Sequence, residues 1–214
     1  MRLPAEQRRR QLLDVARDVF GQRGFHATSM DDVADAAGVT KPVLYQHFPS
    51  KRALYLELLE DVGGELLRAV RSGTGRAETG RGRVELGFAA YFRYVMGNRT
   101  SFRLLFGASV RNDPEFAEVA DRWLRQVVDE ITTLIEIDAS SEHRRVLAHA
   151  IVGMAESTSR RALNDPTAEE DPDRLAAWLA EMTWFGLRGV RSDDEPDPVG
   201  AVTPLRPGDP GQPG

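Results

Sequence analysis

Apolar residues recur at helical spacing along most of the chain, and no stretch alternates between apolar and polar residues for long enough to predict a strand. The first pattern runs from about Ala5 to Arg23 and ends before Gly24, a residue that favours helix C-termini. Three more patterns follow candidate N-caps, which are Thr28, Thr40 and Ser50. Five further helices are predicted at about 83–96, 100–110, 114–137, 142–163 and 172–190. The fold class is therefore predicted to be all-α, with about nine helices.

The predicted helices divide the chain into a small head, a larger body and a tail. Residues 1–58 form the head, a three-helix unit, and residues 59–190 form the helical body. A long fourth helix, predicted from about Lys51 to Arg71, joins them. The glycine-rich segment 72–82 lacks the spacing of a phosphate-binding loop and is predicted to be a linker. Residues 191–214 are rich in proline, glycine and acidic residues, a composition that predicts a disordered tail.

The segment from Thr28 to Leu54 carries the most informative pattern in the chain. Two short amphipathic helices flank the sequence Ala-Gly-Val, in which Gly38 permits a tight turn, so the segment predicts a helix-turn-helix. Around the second of these helices, Leu44 and Phe48 share one side at about 100° per residue. The opposite side carries Lys41, Pro42, Val43, Tyr45, Gln46 and His47. An aromatic ring, methyl groups and an amide that face solvent suit a DNA major groove, where they can reach phosphates, base edges and thymine methyls.

Lys51 and Arg52 lie in the first turn of the fourth helix, where the helix dipole disfavours cations. A side chain placed against its local preference, like these cations at a helix N-terminus, often marks a functional position. Lys51 and the helix N-terminus are therefore predicted to hold a DNA phosphate together. The hydroxyls of Thr28 and Thr40 are predicted to cap their helices first and to contact phosphates second.

The sequence T-S-M-x-x-V-A-x-x-A-G-V-T-K-P-V-L-Y-Q-H-F-P-S-K-x-x-L, at residues 28–54, resembles the N-terminal signature of the TetR family of bacterial repressors. The resemblance covers roughly residues 8–58, and the rest of the chain is similar to the family only in length, helicity and layout. It implies a DNA-binding face made of Thr28, Ser29, Thr40, Lys41, Pro42, Val43, Tyr45, Gln46, His47 and Lys51. Two alternatives stay open. Tyr45 and His47 could pack inside the head, and Arg2 and Arg8 to Arg10 could be either DNA contacts or an ordinary solvated face.

Net charge adds information only when it is divided along the chain. The chain carries −5 overall, but residues 1–58 hold nine Lys or Arg against seven Asp or Glu, so the head is +2 and the remainder −7. A basic head on an acidic body predicts that only the head meets DNA. The chain has no cysteine, no apolar stretch of membrane-spanning length and no apolar signal segment. A cytoplasmic protein without membrane association is therefore expected.

The sequence contains no constellation typical of catalysis or metal binding. It has no evident nucleophile–base pair or cofactor loop, and His143 and His149 are six residues apart, a spacing that places them on different helix faces. The chain is therefore predicted to be no enzyme and to hold no metal and no cofactor. An enzyme with an incidental helix-turn-helix is the remote alternative.

The body supplies two further predictions, both supported by the family resemblance. The last two helices, at about 142–163 and 172–190, carry wide apolar stripes and are expected to form a four-helix homodimer interface. An apolar effector pocket is expected in the body, with Tyr91, Tyr94, Phe102, Phe106, Trp123, Met154 and Glu156 as candidates. Core packing is the competing interpretation for each of them, and Glu156 could instead pair with Arg160 one turn on.

These patterns together predict a sequence-specific DNA-binding regulator, and most simply a repressor that a small, largely apolar effector releases from its operator. As a dimer it would bind a pseudo-palindromic operator with its two third helices roughly 34–36 Å apart, which matches successive major grooves. The effector would reorient the fourth helix and spread the heads. The alternative is an ungated DNA-binding regulator whose body is fully packed.

Overall fold

Ten α-helices make up the part of the chain that the computed structural model describes, residues 4–165 and 171–190. In chain order they are α1 (Ala5–Arg23), α2 (Met30–Ala36), α3 (Lys41–His47), α4 (Lys51–Thr74), α5 (Gly80–Gly97), α6 (Arg99–Phe106), α7 (Ala108–Asn112), α8 (Pro114–Leu134), α9 (Ser141–Asn164) and α10 (Pro172–Arg188). The all-helical fold class is thereby confirmed. The tail predicted at 191–214 lies outside the described residues.

The additional helix arises from a break at Gly107. The sequence predicts one helix at about 100–110, whereas α6 and α7 lie on either side of Gly107, whose backbone is extended with φ −80° and ψ 179°. Much of the predicted glycine-rich linker is also helical, because α4 continues to Thr74 and α5 begins at Gly80. The Thr79 side chain starts α5 by accepting the N–H of Gly82.

The second helix, α2, has a different N-cap from the predicted one. Ser29 is the cap, since its side chain accepts the N–H of Asp32 and the Asp32 carboxylate accepts the N–H of Ser29 in return. Thr28 is only 2% exposed, and its hydroxyl donates to the carbonyl oxygen of Gly24 at 2.8 Å. Thr28 therefore closes the turn between α1 and α2 and does not cap α2.

The long helix α4 is shared by the head and the body. It packs on α1, α5, α6 and α8, and its apolar side is buried at Leu54, Leu58, Leu59 and Val62. One continuous apolar core extends from α1, α2 and α3 through α4 into α5, α8 and α10. The predicted domain boundary at residue 58 falls inside this unbroken helix, so a shift of α4 would move the head as well.

A glycine on α4 allows α8 to approach this helix closely. A Cβ at Gly63 would overlap the indole ring of Trp123 on α8, so glycine lets the ring lie against the α4 backbone. The Trp123 indole N–H donates to Glu60 at 2.8 Å. This close packing explains why Trp123 serves as a structural contact between α4 and α8.

Within residues 4–165 and 171–190, no helix combines the length and apolarity needed to cross a membrane. The same residues contain no cluster of three or more His, Cys, Asp or Glu side chains arranged to hold a metal ion.

Candidate nucleic-acid interface and ligand cavity

The short helix α3 presents to solvent the side that the sequence predicts. Leu44 is fully buried and the C-cap residue Phe48 is nearly so, which fixes one side of the helix in the core. Tyr45 is 42% exposed. Lys41, Pro42 and Gln46 are also exposed, while Val43 and His47 are half-buried. Tyr45 therefore does not pack inside the head, which is the alternative that the sequence leaves open.

Contacts before and after α3 hold this helix in place. In the turn that precedes it, Gly38 has a φ of +63°, a left-handed conformation that favours glycine. At its other end, Arg9 of α1 donates to the carbonyl oxygen of His47 at 2.5 Å, and the Arg9 guanidinium lies 4.4 Å from the centroid of the Phe48 ring. The exposed side chains of α3 therefore project from a rigid base, as recognition of base edges requires.

Arginines of α1 form hydrogen-bonded ion pairs with carboxylates of α4. Arg10 bonds Asp61 at 2.6 Å and Glu65 at 3.0 Å, and Arg17 reaches the same two carboxylates at 2.7 and 2.8 Å. Burial acts to raise the pKa of Glu65, but hydrogen bonds from Arg17 and Arg10 outweigh it and lower this pKa. The sequence leaves open DNA contact or a solvated face for these arginines; the structure shows neither for Arg9 and Arg10, because Arg9 bonds Glu57 and the His47 carbonyl and Arg10 bonds Asp61 and Glu65.

Three of the predicted DNA-binding residues remain accessible beside α3. Ser29 and Thr40 are exposed, and the Thr40 hydroxyl makes no capping bond to α3. Lys41 Nζ bonds Asp31 at 2.9 Å, and this hydrogen bond raises the pKa of Lys41. Because exposed ion pairs contribute little to stability, Lys41 can exchange the Asp31 carboxylate for a DNA phosphate at small cost.

Thr28 and Lys51, for which the sequence predicts phosphate contacts, form hydrogen bonds inside the head. The ammonium of Lys51 donates to the carbonyl oxygens of Phe25 and Thr28, at 2.9 and 2.8 Å, and lies 4.4 Å from the centroid of the Phe25 ring. The Thr28 hydroxyl is buried in the turn between α1 and α2. Both residues are used inside the head because the carbonyls of this turn need donors, and Lys51 supplies them.

Replacing Lys51 by methionine is expected to lower the free energy of unfolding by about 1–3 kcal/mol, because two part-buried carbonyls lose a charged donor. The slope of log affinity for DNA against log salt should stay unchanged, since Lys51 neutralises no phosphate. Lys41→Met is the matched control: its stability should change little, while its salt slope falls by about one per bound head. Thermal melts and salt titrations measure both quantities. A reduced salt slope in Lys51→Met would reinstate its phosphate contact.

Arg52 connects the head to the body at the start of α4. Its guanidinium bonds Asp113 at 2.6 Å and Glu115 at 2.5 Å, and it lies 4.8 Å from the centroid of the Phe116 ring. The Arg52 hydrogen bond holds the pKa of Asp113 below its usual value. Phe116 in turn meets Phe25 of the head, with ring centroids 4.9 Å apart. Side chains in direct contact therefore link the start of α8 to the turn between α1 and α2.

The body encloses a cavity of about 430 Å³ between α4, α5, α6, α8, α9 and α10. Three of the predicted pocket residues, Tyr91, Phe106 and Glu156, line it. Much of the remaining wall is aliphatic and includes Leu66, Val70, Leu124, Val127, Ile131 and Ile151. The exposed residues of the wall are Glu136, Asp138 and Arg188, which therefore mark its mouth.

Four predicted pocket residues do not line this cavity: Tyr94, Phe102, Trp123 and Met154. The Tyr94 hydroxyl bonds Glu65 at 3.1 Å, and Phe102 packs on Phe106 with ring centroids 4.7 Å apart. Trp123, on α8, packs against α4 and borders a separate void of about 10 Å³, and Met154 is half-buried on α9. Helical spacing predicts which residues share a stripe, but not which stripe another helix covers. For the same reason the candidate set lacks Arg83, Thr183, Trp184 and Arg188, which do line the cavity.

Two polar pairs lie where α9 meets the cavity. Glu156 bonds Arg160 at 2.5 Å, the pairing that the sequence left as an alternative. The Tyr91 hydroxyl lies 3.3 Å from the hydroxyl of Ser159, and burial raises the pKa of Tyr91, so this phenol is neutral at physiological pH. A largely apolar wall with a few hydrogen-bonding groups is typical of small-molecule sites.

Comparison with known proteins decides the family. The model of the family described as "Bacterial regulatory proteins, tetR family" matches residues 12–58. The model described as "Tetracyclin repressor-like, C-terminal domain" matches residues 81–186. The HTH-type transcriptional activator FasR of Mycolicibacterium smegmatis is 35% identical over 191 residues, which cover 88% of this chain and 87% of FasR. The chain belongs to the TetR family. It is a DNA-binding transcriptional regulator, and the TetR-family proteins that it matches are regulators and not enzymes.

Solved structures share the fold of this TetR-family regulator. A TetR-like transcriptional regulator from Rhodococcus sp. RHA1 superposes with a TM-score of 0.73 at 27% identity, covering 88% of this chain and 100% of that one. FadR from Bacillus subtilis, solved in complex with stearoyl-CoA, superposes with a TM-score of 0.71 at 16% identity, covering 85% of this chain and 99% of FadR. At this identity the likeness to FadR concerns the fold alone.

Proposed function

We propose that this TetR-family regulator binds a pseudo-palindromic operator as a homodimer, with α3 in the major groove, and that an apolar effector in the body cavity sets its affinity for DNA. The exposed side of α3 is the observation that supports the DNA-binding part of this proposal. Tyr45 and Gln46 project from a helix whose other side is fixed by buried Leu44 and Phe48. An exposed aromatic ring and amide on so rigid a base suit recognition better than solvation.

Each residue of the exposed side has a role that its chemistry supports. Gln46 reads a base edge through its amide, and Pro42 and Val43 contact thymine methyls. The Tyr45 hydroxyl bonds a phosphate. Additional phosphate contacts come from the flanking polar side chains, which are Ser29, Thr40, Lys41 and His47. Thr28 and Lys51 are left out of this set because the head uses them internally.

The proposed dimer interface lies on α9 and α10. Large apolar side chains are exposed there, namely Val146, Trp178, Met182 and Phe185. Gly153 and Gly186 on the same helices have open space around them, so another backbone can approach closely. Trp178, Met182 and Phe185 share one face of α10 at helical spacing, and an exposed apolar face of this kind marks an interaction surface. Twofold pairing through this surface would give a DNA-binding dimer with two heads, as a pseudo-palindromic operator requires.

The cavity favours control by an effector over the alternative of an ungated regulator with a fully packed body. Packed interiors contain few voids larger than a water molecule, whereas this one has about 430 Å³. Its wall runs along α5 from Gly80 to Tyr91, so an elongated apolar molecule fits its shape. FadR of Bacillus subtilis, which shares the fold, is bound to stearoyl-CoA in its solved structure. A long-chain acyl compound is therefore the first effector to test.

Coupling between the cavity and the head runs through α4 and the start of α8. Leu66 and Val70 of α4 line the cavity, and Lys51 at the start of the same helix holds the turn between α1 and α2. Leu124 and Val127 of α8 line it too, and Phe116 on α8 contacts the head. An effector that spreads these helices would change the separation of the two heads in the dimer.

The gating proposal predicts that saturating stearoyl-CoA changes operator affinity at least about tenfold, within the usual range of allosteric coupling. Arg52→Gln should bind the ligand normally but respond less, because it removes the ion pairs to Asp113 and Glu115. Arg93→Gln, which breaks the exposed pair between α5 and α10 with Asp173 at 2.7 Å, should respond like the wild type. Fluorescence anisotropy of labelled operator DNA, with and without ligand, measures the response. Ligand binding without any change in operator affinity would refute gating.

The direction of regulation depends on where the operator lies relative to the promoter. The relative FasR is named an activator. The repressor role expected from the sequence therefore stays a prediction, which a reporter assay with the native promoter tests.

A further inference from the structure

Thr183 on α10 has a buried hydroxyl without a hydrogen-bond partner among the described residues. The residue is 5% exposed and belongs to the cavity wall. A buried donor or acceptor left unpaired costs stability, so each case in a folded protein calls for an explanation.

Thr74 and Thr132, which also lie on helices, satisfy their hydroxyls locally. Thr74, which also lines the cavity, donates to the carbonyl oxygen of Val70 at 3.1 Å. Thr132 donates to the carbonyl oxygen of Val128 at 2.7 Å. This bond to the carbonyl four residues earlier is the usual solution for a helical threonine. Thr183 does not make it, although its helix continues on both sides.

The position of Thr183 along the cavity is fixed by the packing of α10 on α5. The two helices run antiparallel, because Asp173 near the start of α10 pairs with Arg93 near the end of α5 at 2.7 Å. At the opposite end Trp184 lies against Gly80, 3.5 Å from the position of a Cβ there. Thr183, next to Trp184, is therefore level with the start of α5, close to the mouth.

Away from its mouth the cavity wall is apolar over a considerable length, apart from Thr74, Tyr91 and Glu156. Gly80 and Tyr91, which are eleven residues apart on α5, both line it. At 1.5 Å per residue this separation corresponds to roughly 16 Å. Val84 and Phe88 lie between them on the cavity wall, and Phe106 borders its inner part. A mouth that carries Thr183 and charged side chains, together with a long and largely apolar interior, defines an amphipathic space.

We propose that the Thr183 hydroxyl is a specificity-determining partner of the effector. The effector is an amphiphile with a hydroxyl or carbonyl oxygen at the mouth end and one extended apolar tail directed towards Phe106. The Thr183 side chain presents its hydroxyl to that oxygen by rotation about its Cα–Cβ bond, and binding satisfies the group that the empty protein leaves unpaired. This inference rests on the proposed role of the cavity as the effector site.

The test compares decanol with decane, a pair of probes of equal tail length that differ by one hydroxyl. Affinities are measured on the full-length protein by displacement of an uncharged naphthylamine fluorophore. Thr183→Val should weaken decanol binding about two- to tenfold and leave decane binding within about twofold. Thr183→Ser should retain decanol affinity. Thr74→Val is the matched control, because it removes a hydroxyl from the same wall that is already bonded, and it should not change the ratio of the two affinities.

A second readout is the melting temperature of the ligand-free protein. Because Thr183→Val removes an unpaired buried hydroxyl at nearly constant volume, the melting temperature should rise by about 2–4 °C. A fall would mean that the fold already satisfies this hydroxyl, and it would overturn the inference. An equal loss of affinity for both probes would also overturn it. If neither probe binds the wild-type protein, the cavity is not an effector site and the proposed gating fails with it. If both bind and Thr183→Val does not discriminate, only the role of Thr183 fails.

Discussion

Replacing Phe185 by glutamate is expected to convert the proposed dimer to monomers and to lower operator affinity by about a thousandfold or more. Phe185 is 61% exposed in the single chain, so the substitution should leave the fold of each protomer intact. In the proposed interface, however, the glutamate would place a charge among the apolar side chains of Trp178 and Met182, where desolvation opposes association. A monomer reads one half-site, so most of the margin between specific and non-specific binding is lost.

Sedimentation velocity and anisotropy titrations with operator DNA measure the two consequences for Phe185→Glu. Phe185→Leu is the control, because it keeps the surface apolar and should remain dimeric with nearly full affinity. Circular dichroism verifies that both variants keep their helices. If Phe185→Glu stays dimeric and binds the operator normally, the interface does not lie on this face of α9 and α10.

Replacing Gln46 by alanine is expected to change which DNA sequences are bound more than how stable the protein is. Gln46 is exposed on α3, so its removal leaves the core untouched. A good bidentate contact between a side chain and a base discriminates by about 1–3 kcal/mol, so two half-sites give about 2–6 kcal/mol per dimer. Selection from a randomised DNA pool should therefore return a strong preference at one position of each half-site for the wild type and a relaxed one for Gln46→Ala. Gln126→Ala, on α8 of the body, should select the wild-type motif. An equal loss on every sequence would make Gln46 a phosphate contact.

The exposed side of α3 could be predicted from the sequence because it depends on local spacing. Leu44 and Phe48 are one helical turn apart, and a buried stripe on a seven-residue helix fixes which residues remain outside. The N-cap of α2 could not be fixed in this way. Thr28 and Ser29 are both good capping residues, and only the burial of Thr28 against Gly24 selects Ser29.

The roles of Lys51 and Arg52 depend on partners that are distant in sequence. The dipole argument correctly indicates that Lys51 needs an electronegative partner, but the carbonyls that provide it are 26 and 23 residues earlier in the chain. Arg52 finds its carboxylates 61 and 63 residues later. A sequence pattern predicts that such a charge needs pairing, whereas the partner depends on tertiary packing. The cavity likewise depends on tertiary packing, because its wall combines residues from six helices.

The central claim, that α3 enters the DNA groove, can be tested directly by tethered cleavage. The sequence has no cysteine, so a Gln46→Cys variant offers a single attachment point for an iron–EDTA reagent. Strand cleavage on operator DNA should then cluster at two places roughly 34–36 Å apart, one for each α3 of the dimer. A Gln126→Cys variant that carries the same reagent on the body should give no localised cleavage. Cleavage from position 46 that is no more localised than that from position 126 would contradict the account.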